Sequence, residues 1–338
     1  MTSVFCLHVF YAFLLYATIK NNYLETLDIL RKACYNIRNG RSALRFPPPL
    51  LCRGENMNVI ENKRFGCERD LYGSRGLIVK NCRFEGPEDG ESALKESRDI
   101  IAENCYMDLR YPFWHIDGIK ISGGEMTKNC RAALWYDRGV EIEGCKMNGI
   151  KALRECSDIF LNEVEADSPE FGWKCRGIRI SGGSISSEYA FLESENIRAD
   201  KMKFAGKYSF QYTKNVNIAN SELNTKDAFW HAKNVTVTDS VLNGEYLAWY
   251  SDRLTLIRCH IKGTQPFCYC RRLTLIDCTM EDCDLAFEYS DVKADIRSEV
   301  LSVKNPHKGR IVADKIGEII LTDNSVYPVK AKIEERNK

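Results

Sequence analysis

The sequence predicts an all-β protein, a single-stranded parallel β-helix (β-solenoid) of about 11 to 13 coils with a period of roughly 19 residues. Three observations favour this fold class. An apolar phrase returns at a nearly fixed interval, apolar and polar residues alternate within it, and bend-forming residues flank it. The 338 residues are therefore interpreted as one solenoid with an amino-terminal extension, rather than as two globular domains.

The repeat itself is regular. Its first three intervals are 23, 19 and 21 residues, and the next seven are 19 residues each. Such a unit has no room for a helix, so each copy should be one coil of strands stacked about 4.8 Å from the next. A right-handed winding is the default for parallel crossovers, although so short a coil leaves the hand open. The phrase begins at Leu77, Ile100, Ile119, Val140, Ile159, Ile178, Ile197, Val216, Val235, Leu254 and Leu273.

Each coil is predicted to contain strands separated by bends. In the third coil, Ile119 and Ile121 flank Lys120, the alternation of a strand with one buried face. The positions before and after this strand are rich in Gly, Asn and Asp, as at Gly118 and Gly123, which tolerate a left-handed backbone. Small residues and then a large apolar residue follow the second bend, which predicts a second, inward-facing strand.

Composition limits the partners of the protein. The 48 Lys and Arg residues balance 47 Asp and Glu residues, for a formal net charge of +1. A dedicated nucleic-acid surface would need a basic excess to neutralise phosphates, so nucleic acid is not expected as a partner. The oligomeric state is left open by the sequence.

The 15 cysteines indicate a reducing compartment, and the protein is expected to be cytoplasmic. Stacked small thiols are typical core filler, whereas a metal cluster at Cys268, Cys270 and Cys283 is the alternative interpretation. No established metal-ligand spacing supports that alternative, so no metal and no cofactor are predicted. The cysteines assigned to inward columns are Cys82, Cys105, Cys145, Cys156, Cys175, Cys259, Cys270 and Cys278.

Residues 1–56 are expected to be an amino-terminal extension. Residues 57–338 are expected to form the β-helix domain, with a cap at each end. The carboxy-terminal cap is predicted at residues 310–322. The extension contains an apolar run at residues 4–19, an amphipathic helical pattern, and three prolines ending at Pro49. The apolar run is shorter than a spanning helix needs and lacks a preceding basic residue. A membrane is therefore not expected as a partner unless residues 4–19 act as an anchor.

The second half of each coil holds the candidate site. All five tryptophans fall fourteen residues after a coil start, once the early insertions are corrected for, and the next column contains His, Tyr, Glu and Lys. Aromatic rings beside ionisable groups suit a carbohydrate ligand. Stacked core aromatics beside a solvated charge ladder are the alternative, which would make the protein a non-enzymatic scaffold or a protein-interaction module. The predicted ligand-binding residues are Trp114, His115, Trp135, Tyr136, Trp173, Trp230, His231, Trp249 and Tyr250.

The centre of this face is charged and holds the predicted catalytic residues Glu155, Glu193, Arg154 and Lys174. The two glutamates are two coils apart, roughly 9.6 Å between backbones, which is near the carboxyl separation of inverting glycosidases. One would be the general acid and the other the base, with Arg154 steering the substrate. Lys174 between them argues against this, because it favours charged carboxylates where an acid must hold a proton. If the protein is an enzyme, we expect a glycoside hydrolase or a polysaccharide lyase-like activity.

From Met57 to about Val326 the chain resembles an uncharacterised bacterial family, the domain of unknown function 3737 proteins. The matching phrases are long and specific, and include LRYPFWH (109–115), CRAALWYD (130–137), IKALREC (150–156), TKDAFWH (225–231) and GEYLAWYS (244–251). The resemblance implies a pectin-lyase-like right-handed parallel β-helix. It implies no established reaction and assigns no catalytic residues.

Overall fold

A computed structural model describes residues 57–86 and 91–336 of the chain. These residues form a β-solenoid of about 14 turns with 55% strand and no helix, so none of them forms a helix long and apolar enough to cross a membrane. The predicted all-β class, the parallel pairing and the period near 19 residues are confirmed. The predicted extension, residues 1–56, lies outside the described residues, and so does its apolar run at residues 4–19.

The strands are short and follow one another with little intervening loop. The first sixteen are β1 (Asn58–Glu61), β2 (Arg64–Phe65), β3 (Arg75–Lys80), β4 (Arg83–Glu85), β5 (Arg98–Glu103), β6 (Tyr106–Asp108), β7 (Phe113–Trp114), β8 (Asp117–Ser122), β9 (Glu125–Met126), β10 (Leu134–Trp135), β11 (Arg138–Glu143), β12 (Lys146–Met147), β13 (Leu153–Arg154), β14 (Ser157–Asn162), β15 (Glu165–Asp167) and β16 (Glu170–Phe171). The others are β17 (Arg176–Ser181), β18 (Ser184–Ser187), β19 (Tyr189–Ala190), β20 (Glu195–Asp200), β21 (Lys203–Lys207), β22 (Lys214–Ala219), β23 (Glu222–Lys226), β24 (Lys233–Thr238), β25 (Val241–Asn243), β26 (Asp252–Ile257), β27 (His260–Lys262), β28 (Leu273–Glu281), β29 (Asp291–Ile296), β30 (Glu299–Lys304), β31 (Lys308–Ala313), β32 (Lys315–Ile320) and β33 (Lys332–Glu335).

Two long parallel sheets run along the solenoid. The first sheet contains the six-residue strands such as β14, β17 and β20, and the second contains the shorter strands that follow the next bend, such as β15, β18 and β21. Ile159 pairs with Ile178, and Ile178 with Ile197, so each strand lies in register with the equivalent strand one coil later. The predicted repeat therefore corresponds to the physical turns of the fold.

A third face closes each turn with very short strands and turns. Strands β7, β10 and β13 pair in parallel there, and β16 pairs with β19. From β20 onward the third face has no named strand until β30 among the described residues, and turns take its place. This face bears the candidate site.

Inward-facing side chains fill the solenoid with stacked columns of the same residue type. On the third face the Phe210 ring lies 4.8 Å from Phe191 and 5.0 Å from Phe229, with all three rings fully buried. Close stacking also constrains the bends, where a Cβ atom on Gly124 would stand 2.2 Å from the Cys105 carbonyl oxygen at a φ of 78°. Glycine is needed there both for space and for the left-handed backbone.

The cysteines predicted as core filler are buried, which confirms that part of the interpretation. Burial raises the pKa of the Cys105 thiol to about 11 and that of Cys145 to about 12, so both stay protonated at neutral pH. Cys268, Cys270 and Cys283 are also free and buried. Among the described residues no group of three or more His, Cys, Asp and Glu side chains could hold a metal ion.

The carboxy-terminal end differs in detail from expectation. Residues 310–322, predicted to be a cap, contain the end of β31 and all of β32, and β33 pairs with β31 beyond them. The solenoid therefore continues further than the repeat pattern indicated, because the last coils lose the 19-residue spacing while keeping parallel pairing. At the amino-terminal end β1 also pairs with β3, before the first repeat start at Leu77, so turns are added at both ends and the total is about 14 where 11 to 13 coils were predicted.

Candidate functional site

Two neighbouring columns of side chains on the third face make up the candidate site, here called the strip. The inner column contains the five tryptophans, and the outer column contains the residue that follows each inner one. Trp114 pairs with Trp135, Trp135 with Arg154, and Arg154 with Trp173, so the inner residues lie directly above one another. The structure thus aligns these predicted residues as the sequence repeat requires.

The tryptophans are half-buried. Four of them stack in two pairs, whereas Trp173 lies beside Arg154 and meets the Tyr189 ring edge-on. The Trp114 and Trp135 rings are 5.3 Å apart with a 10° angle between planes, and Trp230 and Trp249 are 5.3 Å apart with a 3° angle. Trp230 and Trp249 donate their indole N–H to backbone carbonyls of the next turn at 2.7 and 2.8 Å. Ring edges, rather than faces, are therefore what the inner column presents.

In the amino-terminal half of the inner column, the two positions that lack a tryptophan hold a lysine and an arginine. The Lys95 ammonium lies 3.8 Å from the centroid of the Trp114 ring. The Arg154 guanidinium lies 5.8 Å from both Trp135 and Trp173, between the two rings. A cation near an aromatic face is attracted by the ring quadrupole, so Arg154 continues the stack that its neighbours begin.

The outer column is more exposed. Tyr136, Tyr212 and Tyr250 are 44%, 50% and 47% exposed. His231 stacks between Tyr212 at 4.8 Å and Tyr250 at 5.1 Å, and Tyr250 stacks on Tyr269 at 4.7 Å, with every interplanar angle at or below 11°. These rings form a regular aromatic ladder whose hydroxyl and imidazole edges face outward.

The outer column has a left-handed backbone, which it shares with the buried column two residues earlier that contains Phe191, Phe210, Phe229 and Phe267. Each member adopts a left-handed conformation with φ between 53° and 59°, a region that costs non-glycine residues roughly 1–2 kcal/mol. At the corner that precedes the first sheet, most of the left-handed positions are instead Gly, Asn or Asp, as at Gly118, Asn196 and Asp158. The left-handed members of the outer column are Glu96, His115, Tyr136, Glu155, Lys174, Glu193, Tyr212, His231, Tyr250 and Tyr269.

The predicted catalytic residues lie together in the charged centre of the strip. Glu155 and Arg154 form an ion pair at 3.2 Å, and Lys174 and Glu193 form one at 3.8 Å. The Tyr136 hydroxyl hydrogen-bonds to the Glu155 carboxylate, which together with desolvation raises the pKa of Tyr136. Each predicted carboxylate thus has its own cationic partner. Lys174 pairs with Glu193 alone, so the centre consists of separate ion pairs and Lys174 does not bridge the two glutamates.

One further carboxylate belongs to this centre and was missed by the sequence analysis as a site residue. Glu170 Oε2 lies 3.8 Å from Lys151 Nζ and 4.0 Å from Arg154 Nη1, and it is buried without a hydrogen-bond partner. Glu170 belongs to the column eleven residues after each coil start, which contains Tyr, Lys, Glu and Asp residues. The polar character of that column was the feature of the sequence that could have identified Glu170 as a site residue. Arg154 therefore lies between two carboxylates, those of Glu155 and Glu170.

The end of the outer column also departs from the sequence pattern. Phe287, aligned by spacing with the tryptophans, stacks on the buried Phe267 at 5.9 Å. Tyr289, instead of Glu288, has the left-handed backbone and lies 5.5 Å from Tyr269. Lys262 and Glu281 still pair 19 residues apart, whereas Phe267 and Phe287 are 20 residues apart, so one residue is inserted between Glu281 and Phe287. A fixed period cannot show an insertion that is later compensated.

A cleft of about 740 Å³ lies elsewhere on the molecule. It covers the outer side of the first sheet near the carboxy-terminal end and is lined by Thr274, Lys293, Asp295 and Arg310 among others. Its charges pair within the protein, as in the 2.6 Å contact between Arg310 and Glu334. None of the predicted site residues lines it.

Comparison with known proteins identifies a family. Residues 58–334 match the family described as "Protein of unknown function (DUF3737)". A search of curated proteins found no match.

Comparison with solved structures found β-helical proteins of low similarity. The A-module of the Azotobacter vinelandii mannuronan C-5 epimerase AlgE6 is 9% identical, covers 82% of this chain and 88% of its own, and has a TM-score of 0.35. The catalytic domain of a GH87 alpha-1,3-glucanase is 9% identical, with coverages of 83% and 64% and a TM-score of 0.22. QnrB1, a plasmid-mediated fluoroquinolone resistance protein, is 10% identical, with coverages of 67% and 92% and a TM-score of 0.19. At these values the similarities support no conclusion about activity.

Proposed function

The chain belongs to the DUF3737 family, and from its own side chains we propose that it binds an extended carbohydrate along the strip. The strip is long, straight and rich in hydrogen-bonding edges, and its ion-paired centre gives it little net charge. Because the cysteine burial suits a reducing compartment, we place this activity in the cytoplasm.

The observation on which the proposal depends is the exposure of large side chains along the outer column, because buried residues of the same face, such as Phe191 and Phe210, share its left-handed backbone. Ten successive turns hold a large aromatic or charged side chain where Gly or Asn would fit without strain. Stacking offsets this cost for the tyrosines and His231, but Lys174 and Glu193 gain only an exposed ion pair. A buried phenylalanine offsets the same strain by packing in the core, whereas an exposed side chain does not, and contact with a ligand is a reason to retain it. We therefore take the exposed outer column as the contact surface.

The contact chemistry follows from ring orientation. Since the faces of the inner rings are covered by their neighbours, a sugar would lie against ring edges and hydrogen-bond to tyrosine hydroxyls and imidazole nitrogens. Each tyrosine hydroxyl both donates and accepts, as sugar hydroxyls do. A repeat of about 5 Å between successive rings offers one such group per turn of the solenoid.

Catalysis at this surface stays a prediction. Glu155 and Glu193, with Arg154 and Lys174, are the groups that a glycoside hydrolase or lyase-like reaction would use, and Glu170 joins them. We make binding the proposal because both predicted carboxylates are engaged in ion pairs, and a general acid must be able to hold and release a proton.

A protein partner is the second candidate. The covered ring faces favour it, because sugar binding often uses an open aromatic face, whereas protein interfaces use tyrosine as a rigid anchor with a polar tip. In this case the strip would be an interaction surface of a non-enzymatic scaffold.

A glycan array tests the proposal with the full chain and with the double variant Tyr212→Asn/Tyr250→Asn. Asparagine tolerates the left-handed backbone at both positions, so the fold should persist. Arg253→Asn is the matched control, since Arg253 has a φ of 59° at a corner away from the strip. We expect saturable glycan binding that the double variant loses and the control keeps. A folded protein that binds no glycan on the array contradicts carbohydrate binding and favours the protein partner.

A further inference from the structure

The strip contains two aromatic patches separated by the charged centre. The amino-terminal patch is Trp114, His115, Trp135 and Tyr136, and the carboxy-terminal patch is Tyr212, Trp230, His231, Trp249 and Tyr250. His115 and His231 occupy equivalent places six turns apart, about 29 Å at the spacing of neighbouring strands. Both patches lie on the same two columns of the same face.

The two patches are similar in composition but not in ring geometry. In the amino-terminal patch Tyr136 stacks on Trp135 at 5.3 Å and meets the His115 ring at 73°. In the carboxy-terminal patch the Tyr250 and His231 rings stack one above the other along the outer column, with centroids 5.1 Å apart and a 5° angle between their planes. Duplication of the sequence alone would give two copies with the same geometry. The patches therefore present different edges to a ligand, as two subsites along one chain would.

The region between the patches offers no unbalanced charge to an ionic ligand. Arg154 pairs with Glu155, and Lys174 with Glu193. A chain of uronic acids would meet as many carboxylates as cations there, and it would have to displace ion pairs to gain any. Hydroxyl groups can bond to the outer atoms of both partners without breaking the pairs. The charge pattern thus favours an uncharged chain.

From these three observations we infer that one uncharged, linear glycan chain spans both patches at once, in a single extended orientation along the solenoid axis. The inference rests on the proposed function and adds the ligand class, its charge and its length: about 19 Å to join the facing ends of the patches at Tyr136 and Tyr212, and about 29 Å to reach equivalent residues in both. A rigid solenoid fixes the distance between the patches, so binding at one patch raises the effective concentration of the same chain at the other. Affinity should therefore rise steeply once a fragment reaches both patches, by about 100-fold or more.

The experiment is a titration of the full chain with size-graded fragments of linear glucans, mannans, galactans and xylans, and of polygalacturonate and alginate as charged probes. Tyr136→Asn and Tyr250→Asn each disable one patch, and they are matched because both residues have a φ of 59°. Arg253→Asn is again the control. We expect a steep rise in affinity for one neutral series as its length increases from about 19 Å to about 29 Å. Either tyrosine variant should remove that rise while leaving the affinity for short fragments at the intact patch.

The outcomes separate the inference from the proposed function. Neutral binding with no length-dependent rise, or a rise that survives both variants, overturns the two-patch inference and leaves carbohydrate binding standing. Tighter binding of the uronate series overturns the assignment of an uncharged ligand. If no probe binds the folded protein, carbohydrate binding fails and the inference fails with it.

Discussion

Replacing Lys174 by asparagine should stabilise the protein, although the substitution removes an ion pair. Lys174 has a φ of 53° and its side chain is 49% exposed. A left-handed backbone costs a residue of this kind roughly 1–2 kcal/mol, most of which asparagine avoids. The half-exposed pair with Glu193 contributes at most about 0.5–1 kcal/mol. We therefore expect Lys174→Asn to raise the free energy of unfolding by up to about 1.5 kcal/mol, the difference between the cost of the backbone and the contribution of the ion pair.

The assay is thermal unfolding followed by circular dichroism, with urea unfolding as a second measure. Lys203→Asn is the matched control, because Lys203 is an exposed lysine within strand β21 and has no left-handed backbone. Asparagine is disfavoured in strands, so the control should lower stability slightly. A loss of stability in Lys174→Asn equal to that of the control would refute the reasoning, since the outer column would then hold its side chains for structural reasons.

Three further predictions concern the core. Phe210→Ala should lower the free energy of unfolding by about 3–5 kcal/mol, because it opens a cavity between Phe191 and Phe229, and urea unfolding measures it. Asp137 is buried, and its Oδ2 atom has no hydrogen-bond partner. Desolvation raises the pKa of Asp137 well above the usual range. The protonated side chain is therefore compatible with the fold at low pH, and the folded state loses stability as the pH rises and ionisation is favoured. Asp137→Asn should therefore raise the free energy of unfolding more at pH 8 than at pH 5, by about 1–3 kcal/mol at the higher pH, as urea unfolding would measure; an equal effect at both would contradict the assignment. Burial raises the pKa of Cys105 to about 11 and that of Cys270 to about 12, so the stability they contribute is present below about pH 9 and falls at higher pH, by about 1.4 kcal/mol per unit for each thiol. Cys270→Ala should flatten the alkaline melting profile, and an unchanged slope would count against it.

The fold was predictable because a solenoid repeats its physical environment. Ile159, Ile178 and Ile197 each contact the same kind of neighbour one turn away, so one period in the sequence reports every strand pairing of the regular coils. The later coils were harder to predict. One residue is inserted before Phe287, and a period alone cannot distinguish that from a change of column.

The candidate site was predictable in position but not in orientation. Column spacing identified Trp230, Trp249, His231 and Tyr250, and the structure aligns them. Spacing left open whether the rings stack along the axis or offer their faces to a ligand, because side-chain orientation depends on the left-handed backbone of the corner. Glu170 was missed as a member of the centre for a related reason, since it reaches Arg154 from a different column.

Tryptophan fluorescence tests the central claim most directly, because all five tryptophans of the chain lie in the inner column of the strip. The full chain would be titrated with neutral linear polysaccharides beside the variants Tyr136→Asn and Tyr250→Asn. Binding along the strip predicts a saturable change in emission that both variants weaken and that Arg253→Asn retains. An emission spectrum that stays constant in the folded protein, with every polysaccharide tested, would contradict the claim that the strip is a carbohydrate-binding surface.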